Sequence, residues 1–387
     1  MKFLDLFAGI GGFHSGMEKA GHKCVGYVEI DKFARASYQA IYKTEGLYTA
    51  NDIRTIRASE LPKADIWCFG FPCQDISVAG KQEGFAGARS SLFFATTRII
   101  RDLKQEDRPS YLVIENVKNL LSINAGFDFL KLQIELDEIG YDCEWDVLDT
   151  AEVLPQHRER VYIVGHFRGR GTRKVFPIRR EGQNSAKGKE INIKPKIKRA
   201  FDARKNGTYG SQDVVYPNGI SNTLNTMTGG NREPKIAIPC LTPDRVKKRQ
   251  NGRRFKNNGE PAFTLNTQDR NGILIKEATN KGYKEAHIGD AINISQPNSK
   301  TRRGRVGYKK ANTLTTGEEQ ATLTKDMRIR KLTPLECWRL QGFTDEQFHK
   351  AEKVNSNSQL YKQAGNSVSV PVVYAIAEKL EFKGVTS

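Results

Sequence analysis

Six short apolar runs, spaced so that helical segments fit between them, constrain the first 165 residues more than any other feature of the chain. KFLDLF (2–7), CVGYVE (24–29), DIWCF (65–69), YLVIE (111–115), residues 144–149 and RVYIVGH (160–166) have strand length, and helical periodicity lies between them, for example at 13–20 and 126–139. Strands alternating with helices predict a doubly wound α/β sheet. A chain of 387 residues exceeds the size of about 250–300 residues at which single cores stop growing, so two domains are expected.

The charge divides unevenly along the chain. Residues 1–165 carry 19 Lys and Arg against 24 Asp and Glu, residues 166–330 carry 36 against 14, and residues 331–387 carry 7 against 6. The net +22 of the middle segment accounts for the whole +18 of the protein. A one-sided excess of that size fits a polyanion partner, because it attracts phosphate backbones and releases their counterions. No run approaches the ~18 apolar residues of a membrane span, and MKFLDLFAG enters the first strand directly, so the chain reads as soluble and intracellular. Cys24, Cys68, Cys73, Cys143, Cys240 and Cys337 form no CxxC pair, and the six histidines complete no zinc spacing, so neither a disulfide framework nor a metal is expected.

From about residue 168 the composition shifts to Gly, Lys, Arg and Asn, and a small unit recurs as NTLNT (222–226), FTLNT (263–267) and NTLTT (312–316). The first two precede short apolar pieces, KIAI (235–238) and GILI (272–275). Unequal spacing excludes a solenoid and favours related strand–turn elements of an irregular β domain. Farther on, TPLE (333–336) has a Thr cap, Pro at the first helical position and Glu three residues after the cap, which predicts a helix through CWRLQ ending near Gly342. A last helix is expected over about 369–381.

Candidate chemistry gathers at strand ends. Gly9, Gly11 and Gly12 follow the first strand and precede a helix, a turn that lets a ligand approach the backbone. Glu29 ends the second strand, where an acid binds ribose hydroxyls, and NAD would suit this pair as well as any nucleoside ligand. Cys73, in GFPCQDISVAG (70–80), sits where the apolar strand gives way to a loop, unlike Cys68 within the strand. Glu115 closes another strand. In a parallel sheet all these ends open on one edge.

Taken together, DLFAGIGGF (5–13), GFPCQDIS, ENV, QHRERVYIVG (156–165), RKLTPLECWRLQGF (330–343) and QAGNSVSVPVV (363–373) stand in the order found in the DNA cytosine-5 methyltransferases. The chain resembles a compact bacterial or phage member of that family, of restriction–modification type, over roughly 1–166 and 330–381. The resemblance implies a Rossmann-like S-adenosylmethionine-dependent methyltransferase domain (1–166), a smaller, mostly β, basic target-recognition domain (167–330), and a hinge helix with a C-terminal segment returning to the large domain (331–387). It implies Cys73 as the nucleophile that adds to C6 of a cytosine flipped out of duplex DNA, which makes C5 able to accept a methyl group. Glu115 matches the carboxylate that contacts N3 and the exocyclic amine, and Arg158 and Arg160 the arginines that hold the flipped nucleotide. Phe7, Gly9, Gly11, Gly12, Glu29, Asp52, Ile53, Asn366 and Ser367 match positions lining the S-adenosylmethionine pocket. Gln74 and Ser77, beside the nucleophile, fall among the DNA-contacting positions.

One departure is His157, where the family commonly has Arg in Q-R-R-x-R. In the middle segment Thr223–Leu224 best matches the family's Thr–aliphatic recognition pair, and Gln212 the residue that fills the space left by the flipped base. The expected partner is double-stranded DNA, with a cognate restriction endonuclease acting separately if there is one. The expected state is a monomer in the cytoplasm of a bacterial or phage-infected cell. Two other readings remain at this level: a tRNA cytosine-5 methyltransferase on the same fold, whose Cys-Phe-Thr tripeptide this chain lacks, and a non-catalytic DNA-binding relative.

Overall fold

The computed structural model describes residues 1–71, 91–178, 237–241, 271–296, 299, 301–317, 319–324 and 329–382. The chain divides into two compact units, one of Met1–Ile193, Thr315–Gly317 and Thr333–Ser387 and one of Lys194–Leu314 and Glu318–Leu332.

The first unit begins β1 (Lys2–Leu6), α1 (Gly12–Lys19), β2 (Lys23–Val28), α2 (Lys32–Ile41), β3 (Tyr48–Ala50) and β4 (Ile66–Phe69). It continues with α3 (Ser91–Asp102), β5 (Tyr111–Val117), α4 (Phe127–Glu138), β6 (Tyr141–Asp149) and β7 (Glu159–Phe167). These seven strands form one sheet in the order β3-β2-β1-β4-β5-β7-β6. The first five are parallel, and β7 runs antiparallel between β5 and β6. The strands that lead to the glycine turn, Glu29, Gly70 and Glu115 are thus parallel, as convergence on one edge requires, and only β7 reverses, because apolar content reports burial and not strand direction.

Alternation along the strands explains two cores, one on each face. Leu4, Trp67, Phe69, Leu112 and Ile114 pack with Phe93, Ile99 and Ile100 of α3 and Leu132 and Leu136 of α4. Phe3, Ile66, Cys68, Tyr111 and Val113 pack on the other face with Phe13 and Met17 of α1. Cys68 is wholly buried there, as its place within the strand implies. Val175 and Phe176 join the same core, so the chain stays with this unit past β7.

The second unit shows only strands among its described residues. β8 (Ala237–Leu241), β9 (Asn271–Lys276) and β10 (Tyr283–Ala286) form one antiparallel sheet, and the apolar pieces that follow the first two TL units pair with each other as β8 and β9. β11 (Ala291–Asn293), β12 (Val306–Gly307), β13 (Gln320–Leu323) and β14 (Ile329–Lys331) form a second, ordered β12-β11-β13-β14. Ile273, Ile275, Ile292, Val306, Ala321, Leu323 and Ile329 make a small core. A polar clasp supports it: Glu277 Oε1 accepts from the amides of Arg305 (2.7 Å) and Val306 (3.1 Å). The buried Arg305 guanidinium donates to the carbonyls of Ser295 and Gln296, each at 2.7 Å.

The chain closes in the first unit with α5 (Pro334–Gln341), α6 (Asp345–Glu352), α7 (Asn357–Asn366) and α8 (Val370–Ala377). The last helix is shorter than the 369–381 expected. α8 lies against α1, where a Cβ on Gly16 would stand 2.5 Å from Val373 Cγ1, so only glycine permits this approach. The expected cap of α5 is present: Thr333 Oγ1 accepts from Glu336 N (3.3 Å), Glu336 Oε2 accepts from Thr333 N (2.8 Å), and Gly342 closes the helix at φ 87°. Thr333→Ala removes half of this reciprocal cap and should cost about 1 kcal/mol. That corresponds to a fall of roughly 2–4 °C in the Tm of the first unit, readable by calorimetry.

Candidate active site

Adjacent strands β1, β2 and β3 deliver Phe7, Gly9, Glu29 and Asp52 to one edge of the sheet. The chain leaves β1 with positive φ at Phe7 (54°), Gly9 (55°) and Gly11 (80°). The three glycines of this turn differ in what they face. A Cβ on Gly11 would run into the Tyr42 ring, and one on Gly12 would lie 2.6 Å from Val368 Cγ2 and 2.7 Å from Ser367 Oγ. Packing accounts for Gly12, and packing together with its positive φ for Gly11. Around Gly9 no described atom lies within 4 Å of that position, so the turn is open there.

Glu29 ties two loops together. Its Oε2 accepts from Gly9 N and its Oε1 from Asp31 N, both at 2.7 Å. Burial raises its carboxyl above the ordinary range, and the amides of Asp31 and Gly9 oppose that shift. Asp52 caps the short turn Ile53–Thr55 and binds the Arg54 guanidinium, while Ile53 is buried in the core. Ser367 is buried behind Gly12 and its hydroxyl donates to Val368 O, whereas Asn366 is exposed.

At the ends of β5 and β7, Arg160 Nε lies 3.0 Å from Glu115 Oε1, both side chains being largely buried. Glu115 also stands over Gly70, where a Cβ would be 3.1 Å from Oε2. Asn116, itself buried, donates from Nδ2 to Phe71 O at 3.4 Å. Sequence reasoning singled out Glu115 and Arg160 but not Gly70 or Asn116, although a glycine at the strand end before Phe71 was a readable signal of close approach. Arg158 goes elsewhere: its Nη2 donates to the carbonyls of Gly365 (3.1 Å) and Ser367 (2.8 Å), so it clamps the turn that carries Asn366. His157, the departure from the usual motif, is exposed and pairs through Nδ1 with Asp149 Oδ2 at 2.9 Å. Cys73, Gln74 and Ser77 lie outside the described residues, as do Gln212, Thr223 and Leu224.

The third TL unit is divided between the units: Leu314 is buried in the second, and Thr315–Gly317 belong to the first, where a Cβ on Gly365 would collide with the Thr315 carbonyl. In the second unit Asp290 pins two turns, accepting from His287 N (2.9 Å) and Lys309 N (3.1 Å). Those turns expose Tyr308, Ile288, Lys309 and Lys310, with the Lys284 ammonium 4.4 Å from the Tyr308 ring centroid. Among the described residues no group of three His, Cys, Asp or Glu could hold a metal ion, and no helix is long and apolar enough to cross a membrane.

The family model of the C-5 cytosine-specific DNA methylases matches residues 1–381. The chain belongs to this family. The orphan methyltransferase M.SPBetaI of Bacillus phage SPbeta is 31% identical over 480 residues, covering 98% of this chain and 97% of that protein. The type II methyltransferase M.HhaI of Haemophilus parahaemolyticus is 30% identical over 391 residues, covering 99% and 96%. Among solved structures, a putative DNA modification methyltransferase from an E. coli prophage superposes with a TM-score of 0.53 at 20% identity, covering 98% of each chain. The Dnmt2 methyltransferase of S. pombe gives 0.53 at 16% identity, covering 97% of each. The fold is thus that of the methyltransferases, α/β with a large mixed sheet and separate small antiparallel sheets.

In this DNA methylase a methyl group at residue 70 would press on the Glu115 carboxylate. Gly70→Ala should lower methyl transfer about tenfold to a hundredfold, the usual effect of misplacing a reacting group by up to an ångström, with little change in Tm. Activity within about twofold of wild type would show that the close approach of Gly70 to Glu115 has no bearing on the reaction.

Proposed function

We propose that the chain transfers a methyl group from S-adenosylmethionine to C5 of a cytosine in a specific double-stranded DNA sequence, through a covalent bond between Cys73 and C6 of a flipped-out base. The observation that carries this reading is the Glu115–Arg160 pair beside Gly70. Covalent geometry limits the Cα of Cys73, two residues past Phe71, to within about 7 Å of the Phe71 Cα. Phe71 is itself bonded to the residue next to Glu115. That limit is compatible with nucleophile and acid addressing one pyrimidine ring.

The residues at the β1–β3 edge fit the cofactor. Gly9 offers open backbone where a side chain would obstruct, and Glu29 is held rigidly with lone pairs left for ribose hydroxyls. Phe7, Asp52 and Ile53 would flank it on one side, and Gly11, Gly12, Asn366 and Ser367 would complete the turn region. When bound, S-adenosylmethionine supplies an electrophilic methyl carbon to C5. Cys73, as thiolate, forms the S–C6 bond, and Glu115 holds N3 and the exocyclic amine and favours proton transfer to N3 as the bond forms. Arg160 orients Glu115 and the base, and Arg158 keeps the Asn366–Ser367 turn in place. Loss of the C5 proton and departure of the Cys73 thiolate restore the aromatic ring.

Residues 1–166 carry catalysis and the cofactor, and 167–330 recognise DNA through the concentrated basic charge, with Thr223–Leu224 reading bases and Gln212 filling the vacated stack. Gln74 and Ser77 contact the flipped nucleotide. The exposed Tyr308, Lys309 and Lys310 suit phosphate and sugar contacts. The enzyme acts as a monomer in the cytoplasm, in a restriction–modification or phage self-protection system, and any cognate endonuclease works separately. Both named bacterial and phage relatives are methyltransferases, which favours this setting.

Cys73→Ser should reduce methyl transfer to background while duplex affinity stays within about twofold. On duplex DNA carrying 5-fluorocytosine, whose C5 fluorine cannot leave as a proton does, the wild type should form a denaturant-stable adduct and the variant none. Turnover by Cys73→Ser would overturn the mechanism, and label passing from the cofactor to tRNA rather than duplex DNA would overturn the substrate.

A further inference from the structure

We propose that Tyr42 is a positioning residue for the cofactor, fixing the Gly9–Gly12 turn through a one-way hydrogen-bond chain that starts on α6. The proposal rests on the reading that this turn holds S-adenosylmethionine. Tyr42 follows α2, far from the turn in sequence, and its buried ring occupies the space a Gly11 side chain would need. Its hydroxyl lies 2.7 Å from Gly11 O and 2.6 Å from Ser15 Oγ, and Ser15 Oγ lies 2.8 Å from Gln347 Nε2.

Donor chemistry sets the direction of this chain. The Gln347 amide nitrogen can only donate, so Ser15 Oγ accepts from it. The Tyr42 hydroxyl has one proton and a carbonyl can only accept, so that proton goes to Gly11 O and the Ser15 proton goes to Tyr42. The order is Gln347 to Ser15 to Tyr42 to Gly11 O. In a trans peptide the carbonyl and the following N–H point in opposite directions. Drawing Gly11 O inward therefore turns Gly12 N–H away from Tyr42, at the start of α1. The ring is fixed as well: His14 stacks on it with centroids 3.9 Å apart and planes 10° from parallel, and His14 is held in turn by Tyr38 through a 2.6 Å bond to its Nδ1. Burial lowers the His14 pKa to about 4, so this stacked partner is uncharged at neutral pH. Glu29 secures Gly9 from β2. Tyr42 secures Gly11 from the other end of the turn.

Tyr42→Phe keeps the ring and removes the hydroxyl. Steady-state methylation of duplex DNA by the full chain should show KM for S-adenosylmethionine raised about fivefold to twentyfold with kcat within about twofold, the pattern of lost binding rather than lost chemistry. DNA affinity should stay unchanged. Ser15→Ala should shift KM the same way by less, and the double variant should be no worse than Tyr42→Phe alone, because the groups act as one chain. If Tyr42→Phe does not fold, Ser15→Ala alone decides, and an unchanged KM there overturns the proposal. A Tyr42→Phe protein with lowered Tm but unchanged KM would show that the hydroxyl only packs. A wild-type chain that binds no S-adenosylmethionine by calorimetry would remove the cofactor reading itself, a result seen without any variant.

Discussion

Parallel pairing of β1 with both β2 and β4 is the constraint on which the rest of the first unit depends. Asp5 stands opposite Tyr27 on one side and Cys68 on the other, and Leu6 opposite Val28 and Phe69. A slip of one residue would exchange the two faces of a strand, and both faces are buried, so each core holds the register that the other requires. Once that register is set, the chain leaves β1, β2 and β4 at the same edge. The glycine turn, Glu29 and Gly70 reach that edge because their strands end there, not because they attract one another.

The second constraint is closure of the chain on itself. α8 returns against α1 through Gly16, Gly12 packs on Ser367 and Val368, and Arg158 binds the carbonyls of Gly365 and Ser367. Segments more than 350 residues apart in sequence, such as Gly12 and Ser367, thus share one wall. Small residues carry this arrangement. A methyl group at several of these points would separate elements that now touch, whatever its chemical character.

Charge and hydrophobicity are handled separately in the two units. The first has large apolar cores and nearly balanced charge, and it buries charged side chains in pairs such as Glu115 with Arg160. The second carries most of the basic excess on little described core, and two buried charged side chains hold its turns through the backbone: Glu277 accepts from the amides of Arg305 and Val306, and Arg305 donates to the carbonyls of Ser295 and Gln296. A large apolar interior holds side chains in fixed positions, while a thin β framework leaves residues such as Lys309 and Lys310 at the surface.

By itself the sequence determined six of the seven strands of the large sheet, the cap and stop of α5, the strand ends near which Gly9 and Glu29 lie, and the family. Those features follow from local chemistry: side-chain period, capping residues and motifs of fixed order. Only the tertiary structure decided that β7 runs antiparallel, that Arg158 clamps a turn while Arg160 meets Glu115, and that Tyr42 lies beneath Gly11. It also separated Gly9, which is open, from Gly11 and Gly12, which are packed. Strand direction, the destination of a long side chain and the space around a missing one depend on what the rest of the chain brings alongside, and no local pattern encodes that neighbour.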